Sequence, residues 1–348
     1  MSSLVELLAK LDPPEVLFKL DEDAYDTARL SAAFARVLSA NPWKRLDDNA
    51  PVKVHFAIID RDDPNAFVVE AEARVYLVVF HSGLLKTLMN VFARAAHHDA
   101  MFREVESSGP MERRPLLEPS PHASGDPNRM LLATLLYRLA LEFLFYHELH
   151  HLILGHAGYV FKRTRLRIFE SGKAALSDPL GQRPMEYAAD LWAAKTLYDS
   201  ILRRRFVTLT PKSIKGLDTY HLLYAAVIAF TTLFAALQYF DPEDVPTYPT
   251  MGARSLTFIH DWTTRIDRDK PISPDLWGHA STGALHAVRV SFTESYDAVG
   301  LMDFTEDDAA IDRAYDEITE LAKQATAMSQ AWKDCAVRTE SVRQPPSV

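Results

Sequence analysis

The residues best suited to chemistry are His147, Glu148 and His151, within the run His147-Glu148-Leu149-His150-His151. In a helix, positions four apart lie one turn apart on one face, so His147 and His151 can bind a single tetrahedral metal ion. Glu148 is rotated off that face and reaches a water beside the ion instead of the ion itself. Zinc brings the pKa of such a water towards neutrality and polarises a carbonyl, while the neighbouring carboxylate takes the water's proton. The chemistry to expect is zinc-dependent hydrolysis with one Zn²⁺ per chain. The plainer alternative is a helix with a few partly satisfied histidines.

A catalytic zinc keeps three protein ligands and one open position, so a third ligand is sought downstream. One familiar continuation places glycine three residues and histidine six residues after the second histidine. Leu154 and Ala157 stand there instead. The run Glu186-Tyr187-Ala188-Ala189-Asp190 offers a better candidate. Glu186 completes a His₂Glu set. Asp190, one turn later on the same face, can accept a hydrogen bond from a ligand histidine and fix its tautomer. His150 is read as a supporting or structural residue, and His156 as a helix-end or supporting group. His97 and His98 are read as exposed, and His55 as a strand residue with a hydrogen-bond partner.

These residues need helices to hold them. Asp126 as N-cap and Pro127 at the first helical position predict a long helix reaching about His156. Its apolar residues, Leu131, Leu132, Leu135, Leu136, Leu139, Phe143 and Leu144, surround much of the cylinder, which predicts a helix buried at the centre of a domain. A second helix is predicted from Pro184 to about Arg204, its alanines Ala188, Ala189, Ala193 and Ala194 permitting close approach to the first. Upstream, residues 52–60, 66–70 and 74–80 read as strands, and Gly83 opens a helix to about Arg94. Residues 99–128 read as an exposed loop or insertion that, like the polar helix predicted over about 306–333, is placed to cover a cleft or recruit partners. The pattern is α+β. One domain is expected over 1–338, with a helical N-terminal region at 1–50, the sheet and active-site helices at 51–205, and a helical remainder at 206–338. A disordered tail is expected at 339–348.

The run HELHHLILGH followed by EYAAD resembles the gluzincin metallopeptidases, whose third ligand is glutamate, and is especially similar to the Lit-type phage-exclusion peptidases and the CAAX-prenyl-protease-like families. Asn65-Ala66-Phe67, then Val75–Phe80 and Ser82-Gly83-Leu84-Leu85, resembles the segment that precedes the active-site helix there. Tyr248-Pro249 with Arg254 resembles their "HP … R" segment, with tyrosine in place of the usual histidine. His156 matches a histidine common after the motif. The resemblance spans residues 52 to 260. It implies a zincin-like fold, with the strand Val75–Phe80 as an edge against which an extended peptide pairs. It also implies that Tyr248 donates to the developing oxyanion, with Arg254 supporting it or binding a substrate carbonyl.

Bulk properties narrow the field. Hydrophobic residues form 48% of the 348-residue chain and charged residues 24%, a globular composition. The net charge of −9 argues against nucleic acid or an anionic membrane as partner. A single cysteine, Cys335, excludes an internal disulfide framework and fits a reducing, cytoplasmic setting. No secretory signal is read at the N-terminus. Leu222–Phe240 carries no charge and is just long enough to span a bilayer, but its alanines, threonines and Gln238 favour a buried core helix. The expected partner is a peptide or protein substrate. Two other readings are a metal-binding sensor without turnover and an iron enzyme with two histidines and one carboxylate.

Overall fold

The computed structural model describes residues 3–9, 27–40, 42–98, 127–164, 168–169, 182–209, 214–240, 248–296 and 307–339. The Asp126 cap, residues 99–126 of the expected loop, Pro242, Pro246 and residues 340–348 of the expected tail lie outside these. The fold is mixed α+β, with a small sheet and a helix-rich C-terminal part.

Three strands form the body of the sheet: β2 (Pro51–Ile59), β3 (Ala66–Glu72) and β4 (Val75–His81). β3 and β4 make an antiparallel pair with Phe67 opposite Val79, and β2 then lies parallel to β4 with Phe56 opposite Val78. Three very short strands complete it: β1 (Trp43–Arg45), β5 (Ile168–Phe169) and β6 (Val337–Thr339). The order is β5-β3-β4-β2-β1-β6. The strand expected to be an edge, Val75–Phe80, is therefore interior. Its side chains explain why. Tyr76 through His81 are all buried, and a continuous apolar, β-branched run is the signature of a strand covered on both faces. Among the described residues, the outer partner of β3, β5, pairs opposite Phe67 and Val68.

Helix α3 (Ser82–His97) follows β4 directly. Gly83 sits there because a Cβ would lie 2.0 Å from the carbonyl oxygen of Asp62. Two short helices, α1 (Leu4–Ala9) and α2 (Thr27–Ser39), precede the sheet, and α2 packs on β2. The central helix is α4 (Pro127–Ile153), in contact with α3, β3 and β4 on one side and with later helices on the other. Every residue from Leu139 to Ile153 is buried. Leu131 breaks the expected pattern: it is 69% exposed, on the outward face of a turn whose neighbours Arg129 and Leu132 are buried.

α4 also stops earlier than expected. Gly155, at φ 89°, ends it in a left-handed turn, and α5 (His156–Thr164) starts immediately. Then come α6 (Arg183–Arg203), α7 (Thr219–Phe240), α8 (Met251–Asp269), α9 (Pro274–Tyr296) and α10 (Asp308–Lys333). Among the described residues, two helices are long and apolar enough to cross a membrane, α4 over Asn128–Ile153 and α7 over Thr219–Gln238. Within them, 72% and 78% of the most apolar window is buried inside the protein.

Candidate metal centre

The two motifs meet because α4 and α6 pack side by side. Small residues on α6 make the approach possible: Ala189, Ala193 and Ala194 have no exposed surface. Across this seam the His147 and His151 Nε2 atoms lie 3.0 Å apart, and Glu186 Oε2 is 3.1 Å from the first and 3.4 Å from the second. All three residues are buried, and together they form a group that could hold a metal ion. Ligand atoms about 2.0 Å from a tetrahedral zinc stand roughly 3.3 Å apart, close to the three separations seen.

Proton accounting points the same way. His147 Nδ1 donates to Asp190 Oδ1 at 2.9 Å, which leaves Nε2 as a lone pair aimed at a carboxylate oxygen. A single proton cannot serve three facing lone pairs, whereas one cation does so at once. Three carboxylates, Glu148, Glu186 and Asp190, are buried here beside the one guanidinium of Arg254. Buried charge of one sign is costly without a counter-ion. Burial alone would raise the Glu186 carboxyl, but the facing His151, and then His147, outweigh it and hold the group well below the usual carboxylate range. Burial likewise opposes ionisation of Asp190, and is overcome by the Arg254 charge and the His147 hydrogen bond.

The surrounding residues orient the ligands. Arg254, in the first turn of α8, donates from Nε to Asp190 Oδ2 at 2.8 Å and from Nη2 to Oδ1 at 2.9 Å. Its guanidinium lies over the Phe234 ring at 4.4 Å and near the half-buried Tyr248 ring at 5.6 Å. On the other side His151 Nδ1 is 3.0 Å from His156 Nδ1. Burial, and then the proximity of His151, pushes His156 well below its ordinary pKa, so it is a neutral imidazole. Its ring stands edge-to-face with Trp332 at 4.3 Å. His150 points away from the ligand pair and meets Thr196 Oγ1 at 2.9 Å. Burial first, then His147, lowers its pKa to about 3. Glu148 is buried beside the first ligand.

No protein-family model, curated protein or solved structure matches the chain in comparisons with each. The reading of the centre therefore rests on its own geometry.

Some positions escaped sequence reasoning. Thr196 lies one and a half turns beyond Asp190 and carried no signal. Trp332 lies 176 positions after His156 in the chain, and nothing local announces their contact. His98 is buried, against expectation, and its backbone N–H caps α3 by bonding to the Ala95 carbonyl.

Proposed function

We propose that this protein is a zinc-dependent peptidase of gluzincin type that hydrolyses peptide bonds in a peptide or protein substrate, acting in the cytoplasm. The observation that carries the reading is the convergence of His147 Nε2, His151 Nε2 and Glu186 Oε2, with Glu148 directly after the first of them. When bound, zinc supplies a polarised carbonyl and a water acidic enough to lose its proton near neutral pH.

The chain's own residues do the rest. The Glu148 carboxylate takes the proton of the attacking water and passes it to the leaving nitrogen. Asp190 keeps His147 in the tautomer whose Nε2 lone pair faces the centre. Tyr248 is the candidate donor to the oxygen on which negative charge develops. The link from Tyr248 through Arg254 to Asp190 supports that assignment.

The test is elemental analysis of wild type and Glu186→Ala, with hydrolysis of an unstructured protein followed in wild type and Glu148→Gln. Near one zinc per chain, lost in Glu186→Ala, and turnover lost in Glu148→Gln with zinc retained, is the expected result. Undiminished turnover in Glu148→Gln sinks the reading. Iron in place of zinc would redirect it to a two-histidine, one-carboxylate oxygenase.

A second reading has one observation in its favour. All three ligand residues are buried, and structural zinc sites are closed where catalytic ones stay open. A metal-binding sensor or interaction protein fits that closure, and zinc without turnover in any variant would select it.

A further inference from the structure

Hydrolysis requires a scissile carbonyl to reach the ion, yet none of the ligands is open to solvent. His147 and His151 are 0% exposed and Glu186 is 2% exposed. An element must move, and the elements around the centre differ greatly in how firmly they are packed. α6 buries twelve of its 21 residues and α8 ten of its 19. α10 buries three of 26: Ala314, Leu321 and Trp332.

Those few contacts of α10 are placed at the centre's flanks. Near its start, Glu317 bonds to Arg183, in the first turn of α6 and three residues before the ligand Glu186. The same carboxylate accepts from the backbone N–H of Thr250 at 3.0 Å and from its hydroxyl at 2.7 Å. Thr250 is the N-cap of α8, the helix that carries Arg254. At its far end Trp332 meets His156 and packs with Val160, Met185 and Ala188. Glu317 and Trp332 are about 22 Å apart along the axis at 1.5 Å per residue. α10 thus crosses from the α6 and α8 starts to α5. Between α10 and α6, a hollow of about 350 Å³ lies against Arg183, Glu317, Glu320, Leu321 and Gln324. Besides these, Ala314 and Leu321 are its buried anchors, and Ile311, Ile318, Ala325 and Met328 pack only half-buried. A helix with so small a buried share, next to the more deeply buried α6 and α8, belongs towards the low-stability end of a domain.

We propose that α10 is a strap that seals the metal centre and lifts away to admit a peptide. This rests on the peptidase reading, so the strap needs a readout that zinc and turnover do not control.

Hydrogen–deuterium exchange on the full chain supplies it, in wild type, Glu317→Ala, Trp332→Ala and the outer-face control Asp316→Ala. Peptides from α10 should exchange well before those from α4 and α6 in wild type. Glu317→Ala should speed α10 exchange at least tenfold while α4 stays protected, and Asp316→Ala should not. Trp332→Ala tests the other end, and Trp332→Phe should restore protection. In parallel, zinc extraction by a chromophoric chelator should quicken in both strap variants, and hydrolysis of an unstructured protein should rise. Faster exchange and extraction with no hydrolysis in any variant keeps the strap and removes the peptidase. α10 exchanging no sooner than α6, and at wild-type rates in both variants, overturns the strap.

Discussion

Arg254 grips both oxygens of Asp190, and one of those oxygens also receives the Nδ1 proton of His147, a member of the candidate metal group. One carboxylate thus joins α8 to the metal centre. Its loss should be felt at the metal before it is felt in the fold. On the zinc reading proposed above, Asp190→Asn should weaken metal binding about 10–100-fold, measured by competition with a chelator of known affinity. Unchanged affinity would mean that His147 is held in place by packing alone.

Removing the other partner should behave differently. Arg254→Met leaves Asp190 buried and unpaired, a change expected to cost about 3–5 kcal/mol. Urea unfolding of the two variants should therefore separate them, with Arg254→Met the less stable. Equal stability would count against Asp190 remaining ionised.

Glu142 provides a pH signature away from the metal ligands. Its carboxyl accepts from the backbone N–H and hydroxyl of Thr208, and burial raises it from 4.5 to about 7. An acid with a raised folded pKa contributes full stability below the unfolded value. That contribution declines as pH climbs from about 4.5 to about 7, by on the order of 3 kcal/mol. Tyr146, one turn on, is pushed up by burial and stays neutral across this window. Urea unfolding at about pH 5 and about pH 8 should show a fall in wild type that Glu142→Gln reduces. The same fall in both proteins would assign it to other groups.

Gly155 is held by geometry on two counts. Its φ is 89°, and a Cβ there would lie 2.1 Å from the Trp332 carbonyl oxygen and 2.7 Å from the Ala336 nitrogen. Gly155→Ala should destabilise by at least about 1–3 kcal/mol, seen as a lowered midpoint in thermal unfolding. A wild-type midpoint would show that the segment after α10 can shift without cost.

Leu131 offers the opposite expectation. Leu131→Gln should change stability by no more than about 0.5 kcal/mol, whereas Leu136→Ala should cost about 2–5 kcal/mol. A large effect at Leu131 would place a partner on that exposed turn.

The parts of the molecule that were legible in sequence are those in which periodicity does the work. A spacing of four fixes His147 and His151 on one helical face, and the same spacing aligns Glu186 with Asp190. Leu131 departs from the pattern because a helix that is apolar all round does not say which of its residues faces outward. β4 was assigned to an edge by resemblance although its unbroken apolar run pointed inward. β1, β5 and β6 are two or three residues long, too short for any alternation to register. α8 and α9 were merged into an undivided helical remainder, and the contact of Trp332 with His156 depends on how distant elements pack.

One such distant pairing sets an order of events. β1 bonds to β6, Trp43 opposite Thr339, although the two are nearly 300 positions apart. Closing so large a loop is a late step in folding, since its entropy must be met before the contact gives anything back. The candidate metal group His147, His151 and Glu186 is synthesised long before β6. A growing chain therefore carries all three of those residues while the outer side of β1 still presents bare N–H and C=O groups. Until residues 337–339 arrive, that side of β1 is an open sheet edge, kept short at three residues and carrying Lys44 and Arg45, features that limit pairing with another copy.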